Sequence, residues 1–274
     1  MSTPMTAAQF LATLKAEGVR AIEHAGWRVH NRAGHGGWGP VNGVMIHHTA
    51  GTYPSDGLLV WSGRSDLPGP LAHGYADKGG SVTMTANGRA NHAGGGDPAV
   101  LTAVINESAL PRPRYGEGDQ GAADGNAHFY GLEISNLGNG KDPYPVAQYD
   151  AAVRWAAGIC RFHHWTAKSV IGHKEWSDQK SDPSFDMSVF RADVDRCLSK
   201  APGVWNALFN TAPPKGPAVT LTPADIEALL TTKVDDPDKS DSSQITLRGL
   251  LWQIGTDVNA MKKDIAALKD QAKD

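Results

Sequence analysis

The twelve residues Gly172-His173-Lys174-Glu175-Trp176-Ser177-Asp178-Gln179-Lys180-Ser181-Asp182-Pro183 limit what the rest of the chain can be. They crowd imidazole, ammonium and carboxylate groups into a polar stretch that directly follows the short β-branched run Ser169-Val170-Ile171. Such a run reads as the end of a buried strand, so its polar sequel emerges at the edge of a sheet. Pro183 biases Asp182 toward an extended backbone. A second apolar run, Val44-Met45-Ile46, breaks off abruptly in His47 and His48. A sheet that brings these two strand ends together lets imidazoles from both converge, with the Asp182 carboxylate as a charged oxygen beside them. Imidazole and carboxylate are both common Zn²⁺ ligands, and a catalytic zinc takes three protein ligands and keeps one position for water. Each residue alone has a plain explanation, a strand cap or a turn. As a set, His47, His173 and Asp182 are candidate metal ligands.

Around these runs the chain alternates strand and helix patterns. Thr6 followed by Ala7, Phe10, Leu11 and Leu14 has the cap and spacing of an amphipathic helix, stopped near Gly18. A short helix is expected over 58–61, and a β-hairpin over 71–76 and 81–85 around the turn Asp77-Lys78-Gly79-Gly80. Helices are expected over 98–109, with Pro98 near the start, over 146–165 and over 187–198. Residues 111–126 carry hardly any apolar side chain and read as a surface loop. Strand 129–135 sets Glu133 between Leu132 and Ile134, so the acid points to the opposite face from theirs. This pattern predicts an α/β (α+β) domain over 1–200, a central mixed β-sheet of five or six strands flanked by helices.

The formal net charge of -3 leaves no basic footprint for nucleic acid. No stretch approaches the roughly 20 apolar residues of a membrane span. The first residues lack the basic and apolar regions of a signal peptide, so none is expected. Cys160 and Cys197 fall in helical segments and read as small buried hydrophobes, the alternative being a disulfide between packed helices. Beyond residue 200 the composition shifts. Residues 201–221 form a Pro-rich linker and 222–246 a short helix, begun at Thr222-Pro223-Ala224-Asp225, with a polar linker. Residues 247–274 carry a heptad seam, with Leu251, Val258, Ile265 and Ala272 at a and Leu247, Ile254, Met261 and Leu268 at d. Asp257 and Asp264 at g face Lys262 and Lys269 at e of a neighbouring chain, which favours a parallel homo-oligomer through a coiled-coil tail. Gly255 costs that helix about 1 kcal/mol, and the same stripe also suits a helix folded back onto its own domain.

Four blocks carry a resemblance: Ile46-His47-His48-Thr49-Ala50-Gly51, Asn91-His92-Ala93-Gly94, Gly131-Leu132-Glu133-Ile134, and Gly172-His173-Lys174-Glu175-Trp176 with Lys180 and Asp182-Pro183. In order and spacing they resemble the signatures of the zinc-dependent N-acetylmuramoyl-L-alanine amidases of type 2, over roughly residues 40–198. That family includes phage endolysins and the peptidoglycan recognition proteins, and the arrangement is most similar to endolysins from phages of actinobacteria. The resemblance implies one Zn²⁺ held by His47, His173 and Asp182, the last standing where some relatives have cysteine. It implies cleavage of the amide between the lactyl group of N-acetylmuramic acid and L-alanine in bacterial peptidoglycan. Glu133 would then take the proton of water and pass it to the leaving amine, and Lys180 would stabilise the oxyanion. His48, His92, His73 and Trp176 are expected to line the substrate site. One departure stands out: Ala72 precedes His73 where many relatives have tyrosine, which shifts the burden to Glu133. An endolysin of this kind waits in the host cytoplasm until lysis and then acts on the wall. The other reading is a non-catalytic peptidoglycan-binding module oligomerised by its C-terminal helix.

Overall fold

Strands that are apolar on both faces need cover on both sides, and the helices of this chain supply it. The computed structural model describes residues 2–51, 55–205, 233–235 and 244–246. Its main sheet has six strands: β1 (Arg20–Glu23), β2 (Gly43–His48), β3 (Gly74–Ala76), β4 (Ser81–Met84), β5 (Phe129–Ile134) and β6 (Val170–Gly172), in the spatial order β1-β4-β3-β5-β2-β6. β3, β5, β2 and β6 are mutually parallel; β4 runs antiparallel to β3, and β1 parallel to β4. The mixed sheet is thus the one the sequence pattern predicts, with six strands.

On one face Val44, Ile46, Tyr130, Leu132, Ile134 and Val170 pack into the main core with α1 (Ala7–Ala16), α4 (Val146–His163) and α6 (Met187–Leu198). α1 begins where expected: Thr6 accepts from the Gln9 N–H and the Gln9 side chain accepts from the Thr6 N–H, a reciprocal cap. α4 buries Ala151, Ala152, Ala156 and Ala157, small residues that let its backbone approach the strands, with Trp155 between them. Gly74 in β3 leaves room for that indole, since a Cβ there would lie 2.5 Å from the Trp155 ring. On the opposite face Met45, Phe129 and Ile171 form a second core with α3 (Pro98–Ile105) and Trp176 of the short helix α5 (His173–Trp176). α2 (Ser55–Ser62) follows β2. α3 stops at Ile105, four residues short of the expected end. β1 was not foreseen, because Arg20-Ala21-Ile22-Glu23 is an edge strand with mostly exposed side chains and no apolar alternation.

The buried Glu17 joins three helices. Its carboxylate accepts from Arg161 Nε (2.9 Å) and Nη2 (3.1 Å) of α4 and from the Cys197 thiol (3.3 Å) of α6. Cys160 and Cys197 are both buried and free, and burial pushes both thiols up. His73, just before β3, is wholly buried: Nε2 faces the Gly88 carbonyl (2.9 Å), Nδ1 accepts from the Gly131 N–H (2.9 Å), and the ring stacks on Trp38.

The chain divides into two compact units, Met1–Thr211 and Ala212–Asp274. In the second, Lys233–Asp235 pairs antiparallel with Gln244–Thr246, Val234 opposite Ile245. This pair falls within the segment read as a short helix and polar linker; two three-residue runs set among aspartates and serines are too weak a signal for a strand. The expected helix at 222, most of the 201–221 linker and the heptad seam of 247–274 lie outside the described residues. Among the described residues no helix is long and apolar enough to cross a membrane.

Two stability predictions follow from this packing. Arg161→Met leaves the Glu17 carboxylate buried without its partner and should cost roughly 3 kcal/mol in urea unfolding, the low end for a buried pair because Arg161 is partly exposed. The double variant Glu17→Gln/Arg161→Met should recover a large part of that loss; equal losses would show that the charge plays no role. Burial also lowers the pKa of His73 from 6.5 to about 4. The native state keeps this ring neutral while the unfolded chain takes up a proton, so its contribution is whole above about pH 6.5 and lost as pH falls through about 4. His73→Gln should flatten the fall in unfolding free energy across that window by up to about 3 kcal/mol relative to the parent chain.

Candidate metal centre

The parallel register of β6, β2 and β5 assembles the site at the carboxyl ends of the strands, where open α/β sheets place ligands. Gly172 pairs with Ile46, and His47 with Glu133, so His173, one residue beyond the end of β6, meets the end of β2. His47 points to the same face as Met45, away from the main core. His173 opens α5, whose turn is held from α6. The Arg191 guanidinium forks onto Glu175 (2.7 and 2.9 Å), and Glu175 Oε2 accepts from the Gly172 N–H (3.0 Å). The return loop is fixed by Lys174: its N–H donates to the Asp182 carbonyl (2.7 Å), and its ammonium to the carbonyls of Pro183 (2.6 Å) and Phe185 (2.7 Å).

Three donor atoms converge. His47 Nδ1 lies 3.0 Å from His173 Nδ1 and 3.3 Å from Asp182 Oδ2, and His173 Nδ1 lies 3.4 Å from the same oxygen. A tetrahedral ion with bonds of about 2.0–2.1 Å would have ligand–ligand edges of about 3.3–3.4 Å. The triangle is close to that shape. Its chemistry fits as well: His173 Nε2 lies 3.2 Å from the Ala93 carbonyl, which only accepts, so a neutral His173 keeps its proton there and turns a bare Nδ1 inward. Burial, then the neighbouring His173, lowers His47 to about 4. Two imidazoles and a carboxylate, all with lone pairs aimed at one point, suit a divalent cation.

Glu133 shares the face of His47 and stands opposite it in β5, with Tyr75 of β3 in register on its other side. Its Oε2 is enclosed and has no hydrogen-bond partner among the described residues. Burial and the carboxylates of Asp182 and Asp56 raise its pKa well above the usual range, against a smaller opposing pull from Lys180. Lys180 is exposed, and its charge is felt at both His47 and Glu133. Asp56, buried in α2, accepts from the hydroxyls of Thr49 (2.8 Å) and Ser135 (3.0 Å). No sequence signal marked it, since a lone acid at the start of a helix is an ordinary surface residue. His48 lies on the other face of the strand end, its Nδ1 3.0 Å from the Tyr144 hydroxyl, which in turn meets Ser184.

Three expected groove residues are placed elsewhere. Trp176 is wholly buried against Phe129 and would clash with any side chain at Gly96 or Gly125. His73 has both ring nitrogens engaged in the core. His92 is 8% exposed, with its nitrogens turned to His47 and to the Phe129 carbonyl. In each case the apolar body or polar tip that suits a ligand suits the interior equally well. The 111–126 loop is tied to the segments that carry His92 and Lys180: Glu117 accepts from the Gly95 N–H (3.1 Å), and the Tyr115 carbonyl accepts from the Asp178 N–H (3.4 Å).

The family model of N-acetylmuramoyl-L-alanine amidase, Amidase_2, matches residues 37–185, a span that holds His47, Glu133, His173, Lys180 and Asp182. No curated protein matches the chain. Among solved structures, the endolysin N-acetylmuramoyl-L-alanine amidase LysCS from Clostridium intestinale URNW is 14% identical, covering 64% of this chain and 95% of that one, with a TM-score of 0.42. The E. coli N-acetylmuramyl-L-alanine amidase AmiD, in complex with anhydro-N-acetylmuramic acid-L-Ala-D-gamma-Glu-L-Lys, is 17% identical and covers 60% of each chain at 0.41. The PlyG catalytic domain is 14% identical and covers 70% of this chain and 98% of that one at 0.42. With the family model spanning more than half of its 274 residues, this chain belongs to the N-acetylmuramoyl-L-alanine amidase family Amidase_2.

Proposed function

We propose that the chain is a zinc-dependent peptidoglycan amidase of the endolysin kind, cleaving between N-acetylmuramic acid and the L-alanine of the stem peptide. The observation that carries this reading is the triangle of His47, His173 and Asp182 beside the Glu133 carboxyl, whose enclosed Oε2 has no hydrogen-bond partner among the described residues. Zinc in such a donor set supplies a Lewis acid that polarises an amide carbonyl and acidifies water. The remaining chemistry belongs to the chain. Glu133, whose enclosed Oε2 has no hydrogen-bond partner among the described residues, accepts a proton from the attacking water and returns it to the departing amine. Lys180, exposed and close enough for its charge to be felt at His47 and Glu133, places its ammonium where negative charge develops on the scissile oxygen. His48, with Tyr144 and Ser184, offers polar groups at the other side of the same strand end. The full ligand set speaks for an enzyme rather than a binding module without turnover. The signature blocks favour an origin among phages of actinobacteria.

Glu133→Gln keeps shape and removes the proton acceptor, so kcat for release of stem peptide from purified sacculi should fall by about 10²–10⁴-fold with zinc content unchanged. A variant that retains full turnover would remove Glu133 from the chemistry. Lys180→Met should lower kcat by about 10²–10³-fold with little change in KM. Chelator should abolish release by the parent chain and added zinc restore it; full activity in metal-free enzyme would overturn the proposal.

A further inference from the structure

We infer that His92 is a positioning residue for the metal centre: it fixes the tautomer of His47, so that His47 presents Nδ1 as a bare lone pair. The inference rests on the metal-centre reading above and adds a role to a residue that reads, in the sequence, as a groove side chain. The backbone of His92 is clamped first. Asn126 Oδ1 accepts from the N–H groups of His92 (2.8 Å), Ala93 (2.8 Å) and Gly94 (3.3 Å), one buried oxygen holding three consecutive amides. The ring then lies over Gly131 of β5, where a Cβ would come within 2.6 Å of His92 Nδ1. Its Nε2 is 3.0 Å from the Phe129 carbonyl. A carbonyl only accepts, so Nε2 carries the proton. Burial disfavours a charged ring, which leaves Nδ1 bare.

That bare nitrogen is 3.0 Å from His47 Nε2, with the two rings nearly perpendicular at 89°. A hydrogen bond here needs one proton and a neutral His92 has none to give from Nδ1, so His47 Nε2 is the donor and its own proton is spent on His92; the facing Nδ1 atoms of His47 and His173, 3.0 Å apart, are then two bare lone pairs that only a cation between them reconciles. His47 Nδ1 is thereby stripped, facing His173 Nδ1 and Asp182. The relay runs from His47 through His92 to a backbone carbonyl of the same sheet. Its importance lies in what it prevents. In the other tautomer His47 Nδ1–H would donate to Asp182 Oδ2, 3.3 Å away, and a proton would occupy the place meant for an ion. Partners that orient a metal-binding imidazole in this way are worth about 10- to 100-fold in metal affinity.

The test uses the full chain. In metal-free protein, long-range ¹H–¹⁵N correlation spectra of the histidine rings should show His47 as the Nε2–H tautomer, and this signature should be lost in His92→Phe. Zinc titrated against a chromophoric chelator should bind His92→Phe about 10- to 100-fold more weakly, with the fold retained by circular dichroism. His92→Gln, whose amide can both donate to the Phe129 carbonyl and accept from His47, should restore most of the affinity. An Nδ1–H tautomer of His47 in the parent chain, or unchanged zinc affinity in folded His92→Phe, would overturn the role. If His92→Phe does not fold, the parent spectrum and His92→Gln decide. A parent chain that takes up no zinc would sink the metal-centre reading instead, while its ring spectrum, which needs no metal, still reports on His92.

Discussion

The parallel pairing of β6 with β2 and of β2 with β5 is the constraint on which the rest depends. It aligns Ile171 with Met45, Gly172 with Ile46 and His47 with Glu133. Strand side chains alternate between faces, so a slip of one residue would send His47 into the main core and Ile46 toward the site. Burial on both faces makes such a slip costly, because Met45, Phe129 and Ile171 would lose the α3 side of the sheet just as Val44 and Ile46 lost the α4 side. Core packing and site assembly are therefore one decision. The residues that satisfy the hydrophobic effect also determine which lone pairs meet.

Support for the site comes from the same elements that build the core. α6 buries Met187, Phe190, Val194 and Cys197, and its Arg191 reaches out to hold Glu175 and, through it, the turn that launches His173. A charge-assisted fork of this kind has direction as well as strength. Lys174 holds the loop that returns Asp182 through three carbonyl contacts. Asn126 organises the loop that carries His92. None of these side chains is one of the three converging donors, yet each restricts a donor or a residue in contact with one.

The convergence of His47, His173 and Asp182 was legible because each histidine stands where an apolar run stops, which is a change of environment that a sequence displays. Glu133 was legible by alternation: flanked by Leu132 and Ile134, it had to face the other way. The misplaced residues share a different origin. Trp176, His73 and His92 are amphipathic, and a one-dimensional pattern cannot say whether such a side chain turns to a groove or is satisfied indoors by a carbonyl or an aromatic neighbour. Trp176 found the second core, His73 found Gly88 and Trp38, and His92 found Phe129 and His47. β1 escaped for the opposite reason, since an edge strand with exposed side chains has no apolar rhythm to detect. Asp56 and Asn126 act through contacts with residues 79 and 34 positions away, distances over which sequence carries no local signal.

Glu133 shows how function and stability oppose each other in this fold. A buried carboxyl oxygen without a partner costs about 1–3 kcal/mol, and the carboxylates of Asp56 and Asp182 add to the cost of its charged form. Asp56 could in principle have been paired with a cation; instead it is held by two hydroxyls, which anchor it without cancelling its charge. A basic residue in that position would have satisfied the cluster and lowered the proton affinity of Glu133. In the role proposed for Glu133, a group that must both take and return a proton works best with a proton affinity lifted from the ordinary carboxylate range toward the operating pH. The cost of leaving it unsatisfied is spread over two cores that bury four tryptophans almost completely, which is why a sheet this heavily covered can tolerate, in the interior strand β5, a carboxyl oxygen with no hydrogen-bond partner among the described residues.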